Sequence, residues 1–260
     1  MKPLSYEIVD DLAFAASLGR LGDFVDSFEV VDLGPFVELA YLSRSIPTLR
    51  AVAQACFKRA ALPPVASAAA SSRLWVSDDR LTGTFRSMLG DQDEEIKWTK
   101  FGLSAQQAAR QAGFKGRVPA QLVGAMSELY ENIYEHAGTP RPGVVGFRAG
   151  LNSFEFVVSD AGRGILNSLR SAPQYAQLQD DADALRLALT EGVSRFNDPA
   201  RGRGFRPLFV GLAELKGKLR FRSGAAALLI NGKPELMTAS LSQKVVYPGF
   251  HASVSCSPTN

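Results

Sequence analysis

With 260 residues, 46% of them hydrophobic, the chain has material for one large domain or two modest ones. A net charge of +3 is too small an excess to argue by itself for a nucleic-acid ligand. Cys56 and Cys256 stand far apart with no Cys-x-x-Cys, which speaks for free thiols and against a cysteine metal site; no signal-peptide core or membrane-length apolar run occurs, so the expectation is a soluble, cytoplasmic protein.

In chain order, Phe28–Leu33 reads as a buried strand closed by Gly34-Pro35. A helical pattern runs from Phe36 to about Ala61, and Pro47 inside it predicts a kink or two helices. Pro63 to Ser72 reads as a connector. Arg73–Val76 reads as a strand and Thr82–Leu89 as a short helix. Residues 1–100 therefore read as a small α/β unit. It looks a little like a STAS domain, without a diagnostic motif; the alternative is a divergent α/β extension that docks on the downstream domain. The acidic run Asp91–Glu95 predicts a solvated junction before that second domain, 101–260.

The stretch from Gln121 to Gly138 carries the strongest pattern. Pro119 suits a first helical turn, Gly138-Thr139-Pro140 a stop, and Leu122, Met126, Leu129 and Ile133 form one apolar stripe. Glu128 and Asn132 project from adjacent turns beside that stripe, where a carboxylate and a carboxamide can hold a water and a hard cation. The plain alternative is an amphipathic helix with polar flanks. Glu131 and Glu135 fall on its solvated side, and His136 stands at the edge of the stripe.

A strand, Phe154–Val158, then runs into Ser159-Asp160-Ala161-Gly162-Arg163-Gly164, which taken alone is also an ordinary strand-to-helix turn. Residues 166–200 form a long connection with helical pieces, one starting at Asp180-Asp181-Ala182-Asp183. Gly202-Arg203-Gly204 precedes a helix start at Phe205, and glycine-rich backbone there offers N–H groups to an anion. Gly211 to Lys218 does not have P-loop spacing. The alternation in Lys218-Leu219-Arg220-Phe221-Arg222 predicts a strand with one wet face, solvated or facing nucleic acid.

Glu-x-x-x-Asn on a helix, then Asp-x-Gly-x-Gly after a strand, then Gly-x-Gly before a helix, resembles the GHKL ATPase family over roughly residues 104–260. That family includes gyrase B, MutL, histidine kinases and anti-sigma-factor kinases. The resemblance implies a two-layer α/β sandwich of the Bergerat type, a mixed sheet with helices on one face, preceded here by the smaller α/β domain. It implies Glu128 as general base, Asn132 as Mg²⁺ ligand, and His136 near the phosphates. It further implies Asp160 as acceptor for the adenine amino group, with Gly162 and Gly164 letting backbone approach the base. Residues 166–200 become a lid, and Gly202, Arg203 and Gly204 the phosphate-binding glycine box. Two departures stand out: Phe205-Arg206 replaces the end of that box, and Phe250 stands where a threonine near adenine is expected.

The expected function is that of a Mg-dependent, ATP-binding regulatory protein, with slow hydrolysis or phosphotransfer to a protein partner met through the N-terminal domain. The only histidines are His136 and His251, so nothing upstream can accept phosphate on histidine. A non-catalytic nucleotide sensor and a nucleic-acid-associated ATPase remain as alternatives.

Overall fold

The computed structural model describes residues 2–22, 28–59, 74–88, 90–136, 138, 143–191, 216–232 and 241–258. At its centre is a six-stranded antiparallel sheet in the order β3-β4-β5-β6-β8-β7. Its strands are β3 (Leu74–Val76), β4 (Thr82–Arg86), β5 (Gly143–Gly150), β6 (Ser153–Asp160), β7 (Lys216–Gly232) and β8 (Leu241–Ser257). The β5–β6 hairpin closes on Leu151-Asn152, where Asn152 takes φ 55°, a left-handed conformation that asparagine tolerates.

Helices cover both faces. In front lie α4 (Glu94–Gln111), α5 (Val118–His136), α6 (Gly164–Arg170) and α7 (Asp181–Glu191); behind lie α1 (Tyr6–Ser17), α2 (Leu33–Ser45) and α3 (Leu49–Arg59). The expected mixed, two-layer sheet with helices on one face is thus corrected to an antiparallel sheet between two helical layers. The reason is visible in β6. Phe154, Phe156 and Val158 enter the front core, while on the rear face Val157 joins the other core and the buried Glu155 and Ser159 hydrogen-bond to α2, so both faces of this strand are covered. Each fully buried Leu, Val or Phe in these layers contributes roughly 1.5–3 kcal/mol.

The rear layer is built from residues 2–22 and 28–59. A two-residue parallel pairing of β1 (Lys2–Pro3) with β2 (Phe28–Glu29) ties its ends together. The strand expected to reach Leu33 stops at Glu29, and Gly34-Pro35 lies inside the first turn of α2, where a missing N–H costs nothing. Gly34 also lets that turn approach Tyr6 and Ser253, whose hydroxyls a Cβ would strike. Pro47 falls in the break between α2 and α3, giving the two helices its position predicted. The connector expected at 63–72 lies outside the described residues.

The helix expected over 82–89 is instead strand β4. Thr82, Thr84 and Phe85 suit a pleated surface, and β4 finds a partner on each side, β3 and β5. No break in the sheet therefore falls at residue 100: β3 and β4 are hydrogen-bonded continuations of the sheet that carries β5 to β8. The acidic run is solvated at Gln92, Asp93 and Glu95, and departs from the expectation at Glu94. Glu94 is buried at the start of α4 and accepts hydrogen bonds from Ser87 Oγ at 2.8 Å and Tyr130 OH at 2.8 Å. It thereby anchors α4 to α5, alongside the stacked rings of Trp98 and Tyr130 with centroids 3.9 Å apart. Among the described residues no helix is long and apolar enough to cross a membrane.

Candidate functional site

On α5 the apolar stripe behaves as its spacing predicts: Leu122, Met126, Leu129 and Ile133 are buried in the front core. The same geometry puts Glu128 on the exposed side and Asn132 at half-burial. Asn132 Nδ2 donates to the Glu128 backbone carbonyl at 2.7 Å. Its Oδ1 accepts no hydrogen bond among the described residues. That oxygen suits a hard cation, which would draw its other ligands from phosphate and water; no group of three His, Cys, Asp or Glu that could hold a metal occurs among the described residues. The burial a glutamate needs to act as general base is not supplied to Glu128 by the described residues. His136 is the last residue of α5, and its side chain lies outside the described ones.

Asp160 ends β6 and is only 3% exposed. Burial pushes its carboxyl up to about 7, although the amides of Gly162 and Phe250 oppose the rise; Gly162 N donates to Oδ1 at 2.6 Å. Two glycines with positive φ lie at this strand end, Gly249 against the carboxyl and Gly164 against Gly249. Gly249 on β8, at φ 88°, lies so near that a Cβ would fall 2.7 Å from Gly162 N and closer still to Asp160. Gly164, at φ 74°, opens α6, and its Cβ would sit 3.0 Å from Ser223 Oγ.

The end of α5 meets this loop. A Cβ on Gly138 would strike the Arg163 guanidinium, and one on Gly143 would strike both Ile133 and the Ser159 carbonyl. The helix carrying Glu128 and Asn132 and the loop carrying Asp160, Gly162 and Gly164 are therefore neighbours in space. No hydrogen bond or ion pair joins Glu128 or Asn132 to Asp160 among the described residues. Of the connection between 166 and 200, α7 begins where the acidic cluster predicts, with Asp180 Oδ1 accepting from Ala182 N at 2.6 Å. Asp181 Oδ2 accepts from Ala225 N at 2.9 Å, pinning α7 to β7. Gly202, Arg203 and Gly204 lie outside the described residues.

Behind the sheet stands a cluster the sequence did not announce. The expected wet face of β7 is wet only at Lys218; Arg220 and Arg222 are fully buried. Arg220 Nη2 reaches Asp10 Oδ1 of α1 at 2.7 Å and Glu38 Oε1 of α2 at 2.9 Å, and Arg222 Nη1 pairs with the same two carboxylates. Burial alone would raise the Glu38 carboxyl, but the two guanidinium groups outweigh it and hold it down to about 2. His251 lies beside Glu38, and burial reinforced by the arginines lowers it to about 4. Its Nδ1 shares a hydrogen bond with Ser159 Oγ at 2.6 Å, and Tyr41 OH donates to the Ser159 carbonyl at 3.1 Å. A polar chain thus runs from α1 and α2 to the residue preceding Asp160. Only the Lys-Leu-Arg-Phe-Arg alternation hinted at it, because the partner acids lie in distant parts of the chain.

A cavity of about 350 Å³ also opens behind the sheet, between the starts of α1 and α2 and strands β6 to β8; Asp160 and the α5 residues do not line it. Comparison of the chain with protein-family models, with curated proteins and with solved structures finds no match.

Proposed function

We propose that this chain is a Mg-dependent, ATP-binding regulatory protein in which Asp160 accepts the adenine amino group and Asn132 gives an oxygen to the metal. In the same reading Gly162 and Gly164 let backbone approach the base, while Gly202, Arg203, Gly204 and His136 serve the phosphates. Slow hydrolysis or phosphotransfer to a protein partner would follow. The observation that carries the reading is the buried Asp160 carboxyl, set against Gly249 at a strand end that adjoins the Asn132 helix. Once ionised, above its folded value of about 7, that carboxyl is acceptor-only and favours a base with an exocyclic amino donor over one with a carbonyl.

The exposure of Glu128 favours a second reading, a sensor that binds nucleotide without turning it over. The nucleic-acid alternative loses its footing, since two of the cations that would have carried it, Arg220 and Arg222, are paired inside the protein.

Isothermal titration with ATP, ADP and GTP, with and without Mg²⁺, tests the proposal. Wild type should prefer ATP, and Asp160→Asn should weaken it by about tenfold or more, the scale of one hydrogen bond to a charged group. Equal affinity for GTP would sink the adenine assignment. Turnover of ATP that survives Glu128→Ala would remove that residue from the chemistry, and absence of turnover in wild type would select the sensor.

A further inference from the structure

Ser223 lies on β7 outside every motif, yet two segments of the nucleotide reading, β8 and the loop after Asp160, meet at its hydroxyl. Its Oγ donates to the Gly249 carbonyl at 3.0 Å and accepts from Ile165 N at 2.9 Å. Gly249 packs directly on the Asp160 carboxyl, and Ile165 follows Gly164 in the first turn of α6, where an amide has no partner within its own helix. Ser223 is buried, so neither bond can be replaced by solvent without opening the loop.

The rear face explains why this serine can hold such a place. Side chains alternate along a strand, so Arg222 points behind the sheet while Ser223 points in front. Arg222 is fixed there by Asp10, Glu38 and the Val245 carbonyl. Immediately after Ser223 the β7–β8 register shifts, and Gly224 takes φ 56°. With Arg222 held behind the sheet, Ser223 stands in front, next to the loop.

We propose that Ser223 is a positioning residue for the base-binding carboxylate: it fastens the Asp160–Ile165 loop to β8 so that Asp160 meets the purine in one geometry. The inference rests on the nucleotide reading above. It assigns Ser223 no contact with the ligand; it acts through Gly249 and Ile165.

The test compares wild type, Ser223→Ala and Ser223→Cys, whose thiol keeps a weak donor and acceptor at nearly the same size. Without nucleotide, amide hydrogen exchange at residues 160–166 should rise in Ser223→Ala and return part-way in Ser223→Cys. With nucleotide, Ser223→Ala should bind ATP roughly tenfold more weakly while GTP binding is unmoved, so that base discrimination falls. Ser223→Cys should lie between. Wild-type exchange and wild-type ATP affinity in Ser223→Ala would overturn the inference and leave the nucleotide reading intact. A parallel loss of ATP affinity, GTP affinity and thermal stability, with no recovery in the cysteine variant, would overturn it as well. A wild type that binds neither ATP nor ADP sinks the nucleotide reading and this role with it.

Discussion

Asp160 and Glu155 belong to one strand and face opposite sides of the sheet, yet burial pushes both carboxyls up to about 7. For Glu155 the neighbouring charge of Asp32 adds to the rise, while two hydrogen bonds from Leu33 N at 3.0 and 2.9 Å oppose it. A carboxyl whose folded pKa lies above its unfolded value holds more protons in the folded state. Its contribution is complete below the unfolded value and is lost as pH rises toward 7. His251, lowered to about 4, works the other way, costing stability as pH falls from its ordinary value. Two carboxyls against one imidazole leave a net loss of stability from about pH 5 to pH 7.5. Glu155→Gln keeps an acceptor for Leu33 N and removes the charge. It should raise the melting temperature at pH 8 and flatten the slope, with a ceiling of roughly 3 kcal/mol. Melting curves across that range check it; an unchanged slope would show that Glu155 ionises freely.

At the scale of elements, α2 bears the most consequential contacts. Glu38 is wholly buried and pairs with Arg220 and Arg222, which share Asp10 as well. Replacing the whole cluster with apolar groups could be neutral, but removing one partner strands the others. Glu38→Ala should therefore cost roughly 3–5 kcal/mol, on the order of 10 °C in Tm, measured by calorimetry. A loss under about 1 kcal/mol would mean that water reaches the cluster. Strand β4 shows the opposite lesson. Thr82–Arg86 is too short to declare a period, and its state is decided by pairing with β3 and β5 rather than by local preference. Helix α5 is long, with stripe and caps agreeing, so tertiary context had nothing to override.

For the whole molecule, the continuity of the sheet across residue 100 has a direct consequence. A fragment of residues 101–260 would lose β3 and β4 from one end of the sheet. It would also expose the rear of β6 and β8, where Val157 and Tyr247 pack against the α1–α3 layer, and strand Arg220 and Arg222 without acids. Such a fragment should fail to give a cooperative melt, whereas the full chain should unfold in one transition covering both helical layers. Two separated transitions in the full chain, or a stably folded fragment, would support the expected two-domain organisation. The rear helices are likewise part of the support of the Asp160 strand, through Tyr41 of α2 and Ser159.

By itself the sequence determined those features whose cause is local: the α5 helix and its buried stripe, the strand running into Asp160-x-Gly-x-Gly, the break at Pro47, and the start of α7. Their periods and caps act over a few residues, within reach of inspection. Only the tertiary structure decided that the sheet has two helical covers, that 82–86 is a strand, and that Arg220 and Arg222 turn inward. Each of these depends on partners far away in the chain. A buried guanidinium and a solvated one have the same letter, and only the arrival of Asp10 and Glu38 makes the difference.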